Sequence, residues 1–324
     1  MRAKKILFPA LLFIPISFSV PLILSSCNKS NQILPLDDRP IDNPFNKNTY
    51  DTSQTELVYD SSQQVYNIKK IKKPTLDFDL LPDYDDGVNQ KHPVRISHDV
   101  LKTLKCKNLF IYDNGSITTA PTYQSGLFSN LNVSYIYVHN LDNFNNDAIS
   151  FDANHHVGLF IYKCTSFVRP SKNLGMFEGY QSGTMYGIEF IHFFKDCTAK
   201  ILPTHTFKGC DRLTSLILPD SVEKMEKEAI IAENIQAKKD IPLSFFSFPK
   251  NLKEVYKYDS SFYINSTKPK KSTISISSSC SEPHLKAFVD AKKVNPNASL
   301  DLSFEDIFWG PLFSHIYWNF IIRD

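Results

Sequence analysis

Alternating apolar and polar positions in the middle of the chain predict a series of short β-strands. Three tripeptides share one pattern, an isoleucine between two aromatic residues: Phe110–Tyr112, Tyr135–Tyr137 and Phe160–Tyr162. Their central residues, at positions 111, 136 and 161, lie 25 residues apart, which is the scale of a solenoid repeat. The pattern therefore predicts that these strands stack on one another.

Further β-like segments continue the series toward the C-terminus with looser spacing. They are Gly187–Ile191, Leu216–Leu218, Phe246–Phe248 and Ile274–Ile276. An aromatic residue followed by small or polar residues precedes several strands, at Phe128, Phe151, Phe177 and Phe207. Because one such unit cannot bury its own apolar side, the units must stack to close a continuous core.

The clearest unit runs from Phe207 to Ile230. Its apolar positions are Phe207, Cys210, Leu213, Leu216, Leu218, Val222 and Met225, and Pro219 ends the strand. Phe248, Pro249, Leu252 and Val255 repeat its second half, while Phe194 and Cys197, like Cys106 and Leu109, repeat its first half. This pattern resembles the BspA-type leucine-rich repeat of bacterial and protist surface proteins. The resemblance covers about residues 194–255, and the spacing extends it toward Pro93.

The resemblance implies a β-rich repeat solenoid, a leucine-rich-repeat-like stack with one parallel β-sheet and short helical or irregular returns. It also implies that Cys106, Cys197 and Cys210 are buried as small core side chains; reactive thiols are the alternative. After the removal of Cys27 from the count, five cysteines remain, an odd set that cannot pair completely within one chain.

The chain divides into four segments by composition. Residues 1–26 are predicted to be a signal peptide, 27–92 a lipidated N-terminus with a disordered polar tether, 93–279 the solenoid, and 280–324 a C-terminal cap. A strand piece at Glu56–Tyr59 is allowed for within the tether. The cap should contain an amphipathic helix from Pro283 to Lys292, and its tail carries Trp309 and Trp318. Membrane association of that tail is the alternative to capping.

The N-terminus has the layout of an export signal. Three basic residues within the first five positions precede the uncharged apolar run Ile6–Leu24. The run leads into Leu24-Ser25-Ser26-Cys27, which resembles the lipobox of bacterial lipoproteins, so Cys27 is the predicted lipid attachment site. The alternative is an uncleaved signal anchor, since an uncharged, mostly apolar run of 19 residues can cross a bilayer as a helix. The predicted location is the extracellular face of the cell membrane.

Charge gives no reason to expect a nucleic acid partner. The signal segment holds three of the 36 basic residues and none of the 34 acidic ones, so 33 basic and 34 acidic side chains remain. Nucleic acid binding normally needs a concentrated basic face. The expected partners are the membrane, through the lipid on Cys27, and a protein.

Catalytic and cofactor motifs are absent from the sequence. There is no G-x-S-x-G, H-E-x-x-H, P-loop or G-x-G-x-x-G pattern. Asp83–Gly87 superficially suggests a calcium loop, but position twelve is Val94 instead of a glutamate, so a turn is favoured. We therefore predict no enzyme activity, no metal site and no cofactor.

The aromatic residues of the three tripeptides form the candidate binding face. If the central isoleucines face the core, strand alternation points their neighbours to the opposite, concave side. These neighbours are Phe110, Tyr112, Tyr135, Tyr137, Phe160 and Tyr162, in two columns. The alternatives are a reversed phase, or columns covered by another segment.

The sequence thus predicts a surface-exposed, lipid-anchored interaction or adhesion protein that binds proteins through its solenoid. The alternative is an exported hydrolase or nutrient-binding lipoprotein whose site is assembled from residues distant in sequence.

Overall fold

Successive strands of this chain stack side by side into a parallel β-solenoid. The structure is a computed structural model, and it describes residues 44–45, 47, 50–88, 91–112, 131–143, 157–168, 188–207, 210, 213–226, 229–231, 245–255, 262–263, 272–297 and 318–323. The predicted signal segment and Cys27 lie outside these residues. Within the described part of the chain, no helix combines the length and the apolar character needed to cross a bilayer.

The described strands are, in chain order, β1 (Thr55–Asp60), β2 (Val65–Ile71), β3 (Thr75–Leu80), β4 (Asp83–Asp85), β5 (Lys91–Ile96), β6 (Cys106–Ile111), β7 (Tyr135–Asn140), β8 (Val157–Lys163), β9 (Ile188–Phe193), β10 (Ile201–Leu202), β11 (Ser215–Ile217), β12 (Lys224–Met225), β13 (Ile230–Ile231), β14 (Phe245–Ser247), β15 (Glu254–Val255), β16 (Phe262–Tyr263), β17 (Ser272–Ser277) and β18 (Trp318–Arg323). The helices are α1 (His98–Leu101), α2 (Pro283–Val294) and a short 3-10 helix at Leu141–Asn143.

Nine of these strands form one parallel sheet, which we call the main sheet. Its order is β3, β6, β7, β8, β9, β11, β14, β17 and β18. One apolar side chain from each strand enters a continuous row of register neighbours: Phe78, Leu109, Ile136, Leu159, Ile191, Leu216, Phe246, Ile274 and Phe320. The first eight are at most 1% exposed. The predicted β-rich solenoid with one parallel sheet is confirmed.

The returns between main-sheet strands also stack in register. In a three-stranded parallel sheet of β10, β12 and β15, Leu202, Met225 and Val255 are aligned and buried in the same core. Beside them, the Glu223 carboxylate accepts hydrogen bonds from Lys200 of the preceding turn and Lys253 of the next, which holds its pKa at about 2. The resemblance implied short helical or irregular returns. The returns also contain short strands that pair with one another.

The register of the main sheet differs from the alignment of the tripeptides. Ile111 pairs with Val138, and Ile136 pairs with Leu109 on one side and Leu159 on the other. Counted along this row, from position 109 to 136 to 159, successive units are 27 and 23 residues long. The equal 25-residue spacing is therefore not the true repeat. A two-residue shift keeps every side chain on its face, so the sequence pattern could not reveal it.

The prediction of a polar tether up to residue 92 is wrong for most of that segment. Strands β1, β2, β5 and β4 form a four-stranded sheet, and β3 is the first strand of the main sheet. This N-terminal module, defined here as residues 50–104, buries the side chains of Tyr66, Ile68, Val94, Ile96, Leu101 and Leu104 in the core of the solenoid. The strand piece allowed for at Glu56–Tyr59 lies within β1.

The C-terminal segment contributes both a helix and a strand. The predicted helix is present as α2, with Leu285, Phe288 and Val289 buried, and the Glu282 carboxylate caps its N-terminus by accepting from the Leu285 N–H at 2.8 Å. Strand β18 pairs in parallel with β17 along six residues. The end of the predicted cap is therefore a further strand of the main sheet. Trp309 lies outside the described residues.

Candidate functional site

The aromatic residues singled out from the sequence lie on the surface of the main sheet that faces away from the core. Ile111, Ile136 and Ile161 are completely buried in the core, so strand alternation directs their aromatic neighbours to the other surface. This is the phase that the prediction assumed. We call this surface the aromatic face, defined by Phe110, Tyr112, Tyr135, Tyr137, Phe160 and Tyr162 together with His139, Phe190, His192 and Phe194.

Three rings on neighbouring strands stack into a ladder. The ring centroids of Phe110 and Tyr137 are 4.5 Å apart with an interplanar angle of 21°, and those of Tyr137 and Phe160 are 4.6 Å apart at 6°. The sequence instead placed Tyr137 in a column with Tyr112 and Tyr162. The two-residue shift of register moves it between Phe110 and Phe160. The ring ladder is thus a product of the register.

The second row of the aromatic face contains Tyr112, His139, Tyr162 and Phe194. The rings of Tyr162 and Phe194 stack at 4.0 Å, and His192 stacks on Phe194 at 4.3 Å. Phe194 and His192 were not among the residues predicted for the face. Alternation in Ile188–Phe193 was the signal that pointed to His192, because Ile191 and Phe193 on either side of it are core residues.

Tyr135 stands outside both rows, because a glycine separates it from the next ring. Its register neighbour is Gly158, and the ring of Phe190 from the following strand lies over that glycine. A Cβ atom at Gly158 would come within 1.9 Å of the Phe190 ring. Glycine is therefore required for Phe190 to reach the rings of Tyr135, at 5.8 Å, and Phe160, at 5.2 Å.

The chain's own N-terminal segment covers part of the aromatic face. The ring of Phe45 lies 5.0 Å from Tyr112, 4.9 Å from His139, 5.0 Å from Tyr162 and 6.3 Å from Phe110, measured between centroids. One alternative raised from the sequence was that another segment covers the aromatic columns. Phe45 does cover the second row. Phe110, Tyr135 and Tyr137 remain partly exposed.

A second residue of that segment makes polar contacts at the edge of the face. The backbone N–H of Lys47 donates to the Tyr112 hydroxyl at 3.0 Å, and that hydroxyl donates to Asp79 Oδ1 at 3.2 Å. The Lys47 ammonium lies 3.9 Å from Asp79 Oδ2. Burial nevertheless raises the pKa of the Asp79 carboxyl, because loss of solvent outweighs the attraction of Lys47.

Among the described residues, the buried hydroxyl of Tyr162 has no hydrogen-bond partner. The residue is 6% exposed, and burial raises its pKa above the ordinary tyrosine range, so the hydroxyl stays protonated at neutral pH. An unsatisfied buried hydroxyl costs about 1–3 kcal/mol. The rings of Phe45 and Phe194 pack against Tyr162, and its buried hydroxyl lowers the stability of the fold.

Replacing Tyr162 with phenylalanine is expected to stabilise the folded chain by about 1–2 kcal/mol, because the ring contacts stay and the unsatisfied hydroxyl is removed. Urea unfolding of both proteins measures the difference. Tyr66→Phe is the matched control, because the Tyr66 hydroxyl donates to Asp86, and its loss should destabilise the fold. A Tyr162→Phe protein that is less stable than the wild type would contradict the expectation.

A small polar pocket adjoins the aromatic face. It has a volume of about 200 Å³, and its lining includes Tyr50, Asp51, Asp77 and Asp79. One carboxylate is already engaged, since Asn108 Nδ2 donates to Asp77 Oδ1 at 2.6 Å. Among the described residues, no group of three or more histidine, cysteine or acidic side chains is placed to hold a metal ion.

The cysteines of the solenoid are packing residues. Cys106, Cys164, Cys197, Cys210 and Cys280 are all buried, and none of these described cysteines forms a disulfide. Burial raises the pKa of Cys106 and of Cys164 to about 12, and raises that of Cys197 and Cys280 as well. Because the thiolate is the reactive form, these thiols are poor nucleophiles at neutral pH.

No protein-family model and no curated protein matches this chain. Among solved structures it is similar to a leucine-rich repeat protein of T. pallidum, with 12% sequence identity and a TM-score of 0.22, over 78% of this chain and 99% of that one. It is also similar to a leucine-rich cell surface protein of Faecalibacterium prausnitzii A2-165, with 9% identity and a TM-score of 0.24, over 74% of this chain and 90% of that one. At such TM-scores neither similarity bears on function, and the solenoid fold follows from the chain's own strand order.

Proposed function

We propose that this chain is a lipid-anchored cell-surface protein that binds other proteins through its aromatic face. The observation that carries the proposal is the ring ladder of Phe110, Tyr137 and Phe160. Aromatic side chains with polar tips are enriched at protein interfaces, where they bury a large area with few rotatable bonds. Here three consecutive strands hold the rings in place before any partner arrives.

Preorganisation favours binding at this surface. The three rings are already stacked on neighbours, so little side-chain entropy remains to be lost when a partner covers them. Phe110 and Tyr137 are partly exposed, whereas Phe160 is buried between them and the rings of the next strand. Burial raises the pKa of Tyr137 to about 12. A tyrosine hydroxyl is protonated at neutral pH even without such a shift, so Tyr137 can donate a hydrogen bond to a partner.

Membrane anchoring is the second part of the proposal, and it depends on Cys27. The sixteen residues 28–43 lie between Cys27 and the first described residue, Pro44. A chain of that length reaches at most about 60 Å, at roughly 3.3–3.6 Å per residue. The solenoid would therefore be held much closer to the membrane than by the tether of some sixty residues that the sequence suggested.

Replacing Cys27 with serine tests the anchor. Acyl labelling and membrane retention should both be lost, because stable anchoring needs the acyl chains that only the thiol can accept. Replacement of buried Cys210 by serine is the matched control, and it should leave labelling and retention unchanged. Complete membrane retention of the Cys27→Ser protein would favour the uncleaved signal anchor instead.

The binding face is tested by the double variant Phe110→Ser, Tyr137→Ser. Surface proteins captured by the wild-type chain from intact cells should be lost by at least tenfold, since central aromatic residues dominate interface energetics. Val58→Ser with Ile201→Ser is the control, because both residues are exposed hydrophobics outside the aromatic face. Equal capture by the double variant, with its thermal unfolding unchanged, would refute binding through this face.

The alternative function is that of an exported hydrolase or a nutrient-binding lipoprotein. It would need a pocket in which titratable groups converge. The pocket beside Asp77 and Asp79 brings carboxylates together, but its volume of about 200 Å³ lies below the roughly 300 Å³ at which ligand pockets begin. The contacts of Asp79 with Lys47 and Tyr112 and of Asp77 with Asn108 favour a structural role for both carboxylates.

A further inference from the structure

Four aromatic side chains form a cage around Phe45. The rings of Tyr112 and Tyr162 meet it edge to face at 5.0 Å with interplanar angles of 89° and 87°, and His139 meets it at 4.9 Å with a tilt of 51°. Phe110 completes the cage at 6.3 Å and 85°. Perpendicular ring contacts of this kind select a flat aromatic side chain over an aliphatic one, since the positive ring edge faces a negative ring surface.

The cage is continued by a polar contact site for the residue two positions further along. The Lys47 backbone N–H donates to the Tyr112 hydroxyl, and the Lys47 ammonium approaches Asp79. Tyr112 therefore contributes its ring to the cage and its hydroxyl to the backbone of the docked segment, here Phe45 and Lys47. These contacts fix both the direction and the spacing of whatever segment lies there.

The docked segment fits the site imperfectly. With Phe45 packed against its ring, Tyr162 has no hydrogen-bond partner for its hydroxyl among the described residues. The Lys47 ammonium is 3.9 Å from the carboxylate, and the Lys47 side chain is largely exposed, so this ion pair contributes little. The polar contacts described at Lys47 are one backbone hydrogen bond and one exposed ion pair, so the segment can exchange with a competing ligand.

We propose that this cage is a peptide-binding site for a partner segment with an aromatic residue followed two positions later by a basic residue, and that Phe45 and Lys47 occupy it in cis. The inference rests on the proposed protein-binding function, because it names the chemistry of the partner segment. Since the Phe110 ring belongs both to the cage and to the ring ladder, a longer partner segment continues from the cage onto Tyr137. The partner is thus recognised by ring geometry first and by charge second.

Occupation in cis should lower the apparent affinity for a partner. A segment joined to the same chain acts at an effective concentration in the millimolar range, so a free peptide competes poorly with it. Replacing Phe45 with alanine removes the ring from the cage and leaves the four cage residues unchanged. The Phe45→Ala chain should therefore bind a free peptide at least tenfold more tightly than the wild-type chain does.

The probe is a fluorescent synthetic peptide with the sequence of residues 42–49, titrated against both full chains by anisotropy. In the Phe45→Ala chain we expect saturable binding, at least a tenfold loss when the peptide carries Phe45→Ala, and a severalfold loss when it carries Lys47→Glu. Asp79→Asn in the chain should remove the effect of the Lys47→Glu peptide. Tyr59→Ala, which opens a ring cluster in the N-terminal module, is the control chain and should bind as the wild type does.

Two results would overturn the inference: equal affinity of the two chains for the peptide, or equal affinity of the Phe45→Ala chain for the Phe45→Ala peptide. Far-UV circular dichroism and thermal unfolding establish that each chain is folded. Should Phe45→Ala fail to fold, a Lys47→Glu chain weakens the docked segment without emptying the cage, and it should still bind the peptide more tightly than the wild type. Partner capture by the Phe110→Ser, Tyr137→Ser chain is a separate measurement, so failure of the peptide titration can be told apart from failure of the proposed function.

Discussion

A chain that begins at residue 93 is expected not to fold, although residue 93 is where the sequence places the start of the solenoid. Truncation there removes β3, whose Phe78 and Leu80 pair with Leu109 and Ile111 of β6. It also removes β1, β2 and β4 of the N-terminal module. Full burial of one large apolar side chain is worth about 1.5–3 kcal/mol, so the loss of the buried Tyr66, Ile68, Phe78 and Leu80 is comparable to the roughly 5–15 kcal/mol that stabilises a typical domain.

The matched control is a chain that begins at residue 44, which keeps every residue that the structure describes. It should be as stable as the full-length chain, whereas the chain from residue 93 should aggregate or lack cooperative unfolding, because terminal repeats need a covered end. Circular dichroism, gel filtration and thermal unfolding measure the difference. A folded, monomeric chain from residue 93 with a normal melting transition would show that the N-terminal module is dispensable.

Replacing Phe246 with alanine is expected to destabilise the protein by about 3–5 kcal/mol, the usual cost of emptying a buried phenylalanine site. Phe246 is completely buried, stands in the core row between Leu216 and Ile274, and packs against Phe248 with ring centroids 4.7 Å apart. Neighbouring strands are fixed by their ladder hydrogen bonds, so the row cannot close around the cavity. Urea unfolding monitored by circular dichroism gives the change in free energy.

Ile201→Ala provides the control for that measurement. Ile201 is also an apolar strand residue, but it is 47% exposed, and removal of its side chain should change stability by no more than about 0.5 kcal/mol. A cost below about 1 kcal/mol for Phe246→Ala would mean that the solenoid relaxes into the space. The core row would then be less rigid than its burial indicates.

The aromatic face was only partly predictable. Alternation around Ile111, Ile136 and Ile161 placed six of its residues on the correct side of the sheet, since the side of a strand on which a residue lies depends only on its position within that strand. Partners across strands depend on register, and an even shift leaves the alternation unchanged. The stacking of Tyr137 between Phe110 and Phe160 was therefore invisible to the sequence.

The N-terminal module was missed for a related reason. Its strands are short and carry lysine and aspartate on their exposed sides, so that Lys69 and Lys70 interrupt the apolar pattern of β2. Tertiary contacts then outweigh local composition: Ile68 pairs with Ile96 of β5, 28 positions later in the chain, and both are buried. Nor could local patterns place Phe45 against Tyr112, which is 67 positions away.

The sequence by itself, through its repeat spacing and its resemblance to a leucine-rich repeat, predicted a parallel β-solenoid, the core positions of β6, β7, β8 and β11, and the helix α2. These features depend on the spacing of apolar residues along each segment, which is a property of the local sequence. Only the tertiary structure decided the register, the extent of the folded N-terminus and the occupation of the aromatic face by Phe45. Each of these depends on contacts between segments that are distant in sequence. The free energies of such contacts cannot be inferred from the local pattern of apolar residues.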